Sequence, residues 1–167
     1  RTLLVMCGAF RVKNLDEFVI LPGALQAICR LAATPFAIII ISNQSVINRG
    51  LGSAQTVAAI NQHLWDTVRA QGGRVDGIYI CPHTPDEQCQ CRKPRLGLLY
   101  QAQAEHNLSL AGSYVVGDAA TDVELADAAG CRPLLVLTGR GRAQLAHVTP
   151  GQRQHTHIVH NLEEAVA

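Results

Sequence analysis

The run Phe36-Ala-Ile-Ile-Ile-Ile41 is unbroken, largely β-branched, and followed at once by Ser42-Asn43-Gln44-Ser45. A run with no polar alternate leaves no face for solvent, so it reads as a strand covered on both sides. Such a strand belongs in a parallel sheet with helices packed above and below. The rest of the chain repeats the pattern. Residues 2–6, 75–80, 113–116 and 132–137 are further strand-length runs, and His157–Val159 is a short sixth. Helical stretches lie between them. One opens at Pro22-Gly23 and carries Leu25, Ile28 and Leu31 on one face. Another is capped by Ser53 and carries a stripe of Val57, Ile60, Leu64 and Val68. Others cover residues 98–106 and 162–167. A capping box at Thr121-Asp-Val-Glu124 opens one more helix, which Gly130 ends. Residues 138–151 read as a glycine-containing loop with one helical turn. This alternation specifies an α/β fold, a Rossmann-like doubly wound parallel sheet in a single domain over residues 1–167.

Composition narrows the function classes. Hydrophobic residues make up 48% of the 167 and charged residues 16%, which suits a globular chain with a proper core. A net charge of +1 with 4% aromatics supplies neither a basic face nor stacking surfaces for nucleic acid. No apolar run approaches the length of a bilayer span, and nothing resembles a signal peptide. The expectation is a cytoplasmic monomer with no membrane and no nucleic-acid partner. Cys7, Cys29 and Cys131 lie in apolar segments and read as small buried hydrophobes, a usage that fits a reducing compartment.

The other three of the six cysteines are concentrated in Cys81-Pro-His-Thr-Pro-Asp-Glu-Gln-Cys-Gln-Cys-Arg-Lys-Pro94. Cys81, His83, Cys89 and Cys91 make three thiolates and one imidazole, a set suited to a closed tetrahedral structural zinc site in a single loop, residues 81–91. Soft sulfur ligands exclude magnesium and calcium there.

In an open parallel sheet, ligands bind beyond the carboxyl ends of the strands. The polar signals fall at those ends. The second strand leads into Ser42, Asn43, Gln44 and Ser45, the third into the cysteine loop and then Arg92-Lys93, and the fourth into Gly117-Asp118 with Asp122 one turn on. A hydroxyl, an amide, two cations and a carboxylate pair together suit a phosphate group with a magnesium ion. Arg140 and Arg142 read as surface residues, with a substrate contact as the alternative, and His147, His155, His157 and His160 read as surface residues.

The order Ser-Asn-Gln-Ser, then C-x-H…C-x-C-R-K-P, then G-D-x-x-x-D resembles the haloacid dehalogenase (HAD) superfamily of phosphatases. Within it the match is to the zinc-loop branch of heptose-1,7-bisphosphate 7-phosphatases and histidinol-phosphate phosphatases. The resemblance extends from Phe10 onward. It implies a HAD-like fold with no large cap domain and magnesium-assisted hydrolysis of a phosphomonoester of a small phosphosugar. The first candidate substrate is D-glycero-D-manno-heptose 1,7-bisphosphate, and histidinol phosphate is the alternative. Residue by residue, Ser42 would donate a hydrogen bond to the phosphoryl group and Lys93 would neutralise its charge. Asn43, Gln44, Ser45 and Arg92 would contact substrate. Asp118 would bind Mg2+ with Asp122 in support, and Zn2+ would hold Arg92 and Lys93 over the site.

The family also places a D-x-D pair at the end of the first strand, one aspartate as nucleophile and one as general acid and base. Here that strand ends Val5-Met6-Cys7-Gly8-Ala9-Phe10, and the first carboxylate is Asp16, so the magnesium site implied by the resemblance also loses a principal ligand and is weakened. Asp16 belongs to a Leu-Asp-Glu-Phe segment that matches the family further downstream. Cys7, with Arg11 four residues on, lacks the glycine-rich cradle of a cysteine phosphatase. Three accounts stand open: a deletion or sequence gap after Val5, a pseudophosphatase that binds a phosphorylated ligand, or carboxylates supplied by another chain.

Overall fold

The computed structural model describes residues 2–7 and 14–167, with the backbone alone at positions 4, 5 and 7. Its strands are β1 (Thr2–Cys7), β2 (Ala37–Asn43), β3 (Gly77–Cys81), β4 (Ser109–Gly117), β5 (Arg132–Val136) and β6 (His157–Val159). All pair in parallel in one sheet of order β3-β2-β1-β4-β5-β6. The helices are α1 (Ala24–Ala32), α2 (Ala54–Ala70), α3 (Gly97–His106), α4 (Ala120–Ala129), α5 (Gly141–Gln144), α6 (Pro150–Arg153) and α7 (Leu162–Val166). The chain builds outward from β1 through β2 to β3, then returns to the other side of β1 for β4. That reversal places a crevice beyond the carboxyl ends of β1 and β4.

β2 shows why the sheet is covered twice. Side chains alternate between faces, and Ile38, Ile39, Ile40 and Ile41 are all buried. Ile38 and Ile40 pack with Ile28 and Leu31 of α1 and Leu64 and Val68 of α2. Ile39 and Ile41 pack with Leu98, Leu99 and Ala102 of α3 and Leu125 and Ala126 of α4. Each such side chain contributes roughly 1.5–3 kcal/mol when fully buried. On the α3 face, Tyr79 donates to Glu105 Oε2 at 2.6 Å and lies 3.0 Å from His106 Nε2. Burial, followed by the Glu105 carboxylate, pushes the Tyr79 phenol up to about 12.

Several boundaries differ from the sequence reading, each for a local reason. β2 runs on through Ser42 and Asn43, so Asn43 is strand rather than the start of the polar loop. β4 starts at Ser109, ahead of its apolar run, with a register shift against β1 between Thr2 and Leu4. There Gly112 takes φ +76°, and Leu3 N–H donates to Ser113 Oγ at 2.9 Å. The expected capping box at Thr121 is corrected. The cap of α4 is Ala119, whose N–H donates to Asp122 Oδ2 at 3.0 Å, and Thr121 lies inside the helix. Residues 138–151 hold α5, a 3-10 turn (Leu145–His147) and the first half of α6 rather than a single turn. Ser53 does cap α2, accepting from Thr56 N–H at 3.0 Å. Among the described residues no helix is long and apolar enough to cross a membrane.

Of the cysteines expected to be buried, Cys131 is, and burial raises its thiol to about 11. Cys29 is half-buried and donates to Gln71 O at 3.3 Å. The Cys7 side chain, Gly8 and Arg11, which bear on the cysteine-nucleophile reading, lie outside the described residues.

Candidate functional site

Lys93 enters the crevice from the loop after β3. Its side chain is 6% exposed, and Nζ lies 2.8 Å from Asp122 Oδ1 on α4 and donates to Ile41 O on β2 at 3.2 Å. β1 runs between these two partners, with Cys7 in register with Ile41 on one side and Gly117 on the other. The ammonium therefore bridges over the carboxyl end of β1, at the sheet's reversal point. The backbone of Lys93 is fixed as tightly as its charge. Asn43 Oδ1 accepts from Lys93 N–H at 3.0 Å, and Asn43 Nδ2 donates to Lys93 O at 3.3 Å. An amide with one donor and one acceptor end can read a peptide unit in this two-point way.

Asp122 has two duties. Oδ2 caps α4, and Oδ1 faces Lys93 as an ion pair without an aligned hydrogen bond. Gly117 makes room for it, since a Cβ there would overlap the Asp122 carboxylate. Ser42 is buried and its Oγ accepts from Gln44 Nε2 at 2.9 Å, so these two are brought together. Gln44 N–H in turn donates to Cys81 O at 2.7 Å, tying the end of β2 to the end of β3. Ser45 Oγ is approached by Arg49 Nε at 3.4 Å.

The cysteine loop closes on itself. The ligand atoms of Cys81, His83, Cys89 and Cys91 all lie within 4.8 Å of one another. Cys81 Sγ is 3.0 Å from Cys91 Sγ, and His83 Nδ1 is 3.2 Å from Cys91 Sγ. A disulfide needs sulfurs about 2.0 Å apart, so the thiols are free and grouped around a point that one ion can fill. Burial pushes the Cys81 thiol up. At Cys89 burial also opposes ionisation, but hydrogen bonds from Cys91 and Cys81 outweigh it and hold the thiol at about 7. Arg92 turns back onto this loop, donating to His83 O at 2.9 Å. Arg95 donates to Gln88 O and Cys89 O. Asn48 donates to Glu87 Oε1 at 2.8 Å, joining the loop after β2 to the cysteine loop. Neither Arg95 nor Asn48 stood out in the sequence, because arginine and asparagine in polar loops are ordinary.

Asp118 stands at the end of β4. Its Oδ2 accepts from Arg140 N–H at 2.9 Å, and its Oδ1 lies 3.2 Å from Arg140 Nη2. Arg140 is partly exposed, as a surface residue should be, but it is also a partner of the rim carboxylate. The signal that could have found it is Gly139. Gly139 adopts φ +60°, and a Cβ there would lie 2.5 Å from Asp118 Oδ2. His147, His155, His157 and His160 are exposed, with His155 Nε2 2.7 Å from Asp127 Oδ1.

A HAD-hydrolase-like family model matches residues 90–165. The D-glycero-beta-D-manno-heptose-1,7-bisphosphate 7-phosphatase of Bordetella bronchiseptica is 43% identical over 135 residues, 81% of this chain and 75% of the relative. The histidine biosynthesis bifunctional protein HisB of Legionella pneumophila is 36% identical over 121 residues, 72% of this chain but 34% of that protein. Among solved structures, the D,D-heptose 1,7-bisphosphate phosphatase of B. bronchiseptica, complexed with magnesium and phosphate, superposes with a TM-score of 0.90. That match has 36% identity and covers 99% of this chain and 96% of the other. A sheet of this order, a cysteine loop that delivers a lysine to its rim and this level of identity lead to one conclusion: the chain belongs to the HAD-type phosphatases, in the D-glycero-beta-D-manno-heptose-1,7-bisphosphate 7-phosphatase family.

Proposed function

We propose that this scaffold serves hydrolysis of a phosphomonoester on a small phosphosugar, with D-glycero-D-manno-heptose 1,7-bisphosphate as the substrate. The observation that carries the proposal is the Lys93 ammonium, fixed between Ile41 O and Asp122 over the end of β1. A buried cation at a sheet's reversal point is preorganised to stabilise charge on a transferring phosphoryl group. In this reading Ser42 donates to that group, while Asn43, Gln44, Ser45 and Arg92 line the substrate site. The chain acts as one domain, a monomer in the cytoplasm.

The cysteine loop holds a structural Zn2+. Three sulfurs and one imidazole nitrogen leave no open ligand position, and the ion's work is to keep Arg92 and Lys93 in place. Asp118 fits a Mg2+ ion in donor type, since magnesium is held by one or two carboxylates with waters and substrate phosphate completing its shell. Gly139 leaves room for that carboxylate itself, since a Cβ there would overlap Oδ2. When bound, magnesium would neutralise charge on the phosphoryl oxygens. Asp122 supports the site by holding Lys93.

The nucleophile is the missing part. No Asp or Glu precedes Asp16, so the carboxylate pair that the family places after the first strand has no counterpart here. The reading is therefore tested first by binding. In calorimetric titrations heptose 1,7-bisphosphate should bind roughly tenfold more tightly than histidinol phosphate, because a second phosphate adds charge-assisted hydrogen bonds. Tighter binding of histidinol phosphate, or saturable binding of neither, overturns the assignment.

A further inference from the structure

Asp118 is the rim carboxylate offered to a divalent cation, yet its oxygens are already engaged. Oδ2 takes the Arg140 N–H and Oδ1 faces the Arg140 guanidinium at 3.2 Å. The second rim carboxylate, Asp122, is spent on Lys93 and on the cap of α4. The arrangement comes from the backbone. Gly139, at φ +60°, turns the chain after β5 so that the Arg140 amide and side chain both reach the end of β4. A side chain at position 139 would be driven into Asp118 Oδ2. The turn and the carboxylate are thus built to meet. The guanidinium is 44% exposed and the carboxylate 13% exposed, so one end of the pair is anchored and the other is free to swing into solvent.

Resting on the assignment of Asp118 as the magnesium ligand, we propose that Arg140 is a latch that competes with the cation for Asp118. In this structure the guanidinium neutralises the carboxylate and covers Oδ1. A divalent cation can take Oδ1 only when the guanidinium leaves, because two positive centres within about 4 Å repel strongly at a partly buried site. The Arg140 N–H stays on Oδ2 throughout, which holds the carboxylate in place while its other oxygen changes partner. Arg140 is therefore a positioning residue that sets cation affinity, and its effect should be modest because the pair is half in solvent.

The test uses the full chain with its cysteine loop intact and Mn2+ as the probe, followed by electron paramagnetic resonance of the free ion. R140Q, which keeps the backbone N–H and removes the charge, should bind Mn2+ roughly two- to fivefold more tightly than the unaltered chain. D118N should lose the site. Unchanged or weaker Mn2+ binding by R140Q, with loss in D118N, overturns the latch while leaving the magnesium ligand in place. Mn2+ binding that D118N does not disturb removes Asp118 as the ligand and the latch with it.

Discussion

A lysine ammonium with 6% of its side chain exposed must be paired, and the partners of Lys93 come from elements far apart in sequence, β2 and α4. Removing one member of a buried pair leaves the other charged and unpaired, at a cost of about 3–5 kcal/mol. Lys93→Met should therefore destabilise the fold by about that amount in urea unfolding, since methionine fills similar volume without charge. Adding Asp122→Asn should recover most of the loss, because the asparagine oxygen can still cap α4 and no naked carboxylate remains. A double variant no more stable than Lys93→Met would mean that the ion pair is not the source of the effect. This pairing was not legible in the sequence. Lys93 and Asp122 are each ordinary in their own segments, and only the crossing of the chain over β1 brings them together. For Arg140 the sequence shows a turn signal at Gly139, but only the fold shows that this left-handed turn meets Asp118.

At the scale of elements, strand ends carry the readable information. β2 was plain because six apolar residues in a row have no other stable use, and Ser42 and Asn43 announced its rim by their polarity. The sequence marks β4 only from Ser113, because Ser109 to Gly112 lack the apolar run of a buried strand and the pairing there is irregular. The cap of α4 has no signature in the sequence, because Ala119 carries no capping side chain and the acceptor is supplied from Asp122 within the helix. The cysteine loop was the most legible element, since ligand chemistry at short spacing survives any uncertainty about fold. Its role predicts a graded effect. Chelating the metal, or making Cys91→Ser, should lower the melting temperature and weaken phosphosugar binding by roughly tenfold or more, through loss of two or more charge-assisted contacts at Arg92 and Lys93. The sheet should persist by far-ultraviolet circular dichroism, because its two buried faces do not depend on the loop. Undiminished phosphosugar binding after metal removal would contradict the clamp.

At the scale of the whole molecule, scaffold and chemistry come apart. The six-stranded sheet, the cysteine loop, the Lys93–Asp122 bridge and the rim carboxylate Asp118 are all in place. The register sets Cys7 between Ile41, whose carbonyl accepts from Lys93, and Gly117 at the end of β4. Composition and periodicity were enough to foresee the architecture, and the motif order was enough to foresee the family. What neither supplies is a carboxylate ahead of Asp16, since the sequence has no Asp or Glu there. The most direct measurement compares phosphate release from heptose 1,7-bisphosphate, with magnesium present, by the unaltered chain and by one with Asp-x-Asp inserted after Val5. The account predicts background release from the first and turnover from the second. Turnover by the unaltered chain, or none by a restored chain that folds and binds the phosphosugar, would contradict it.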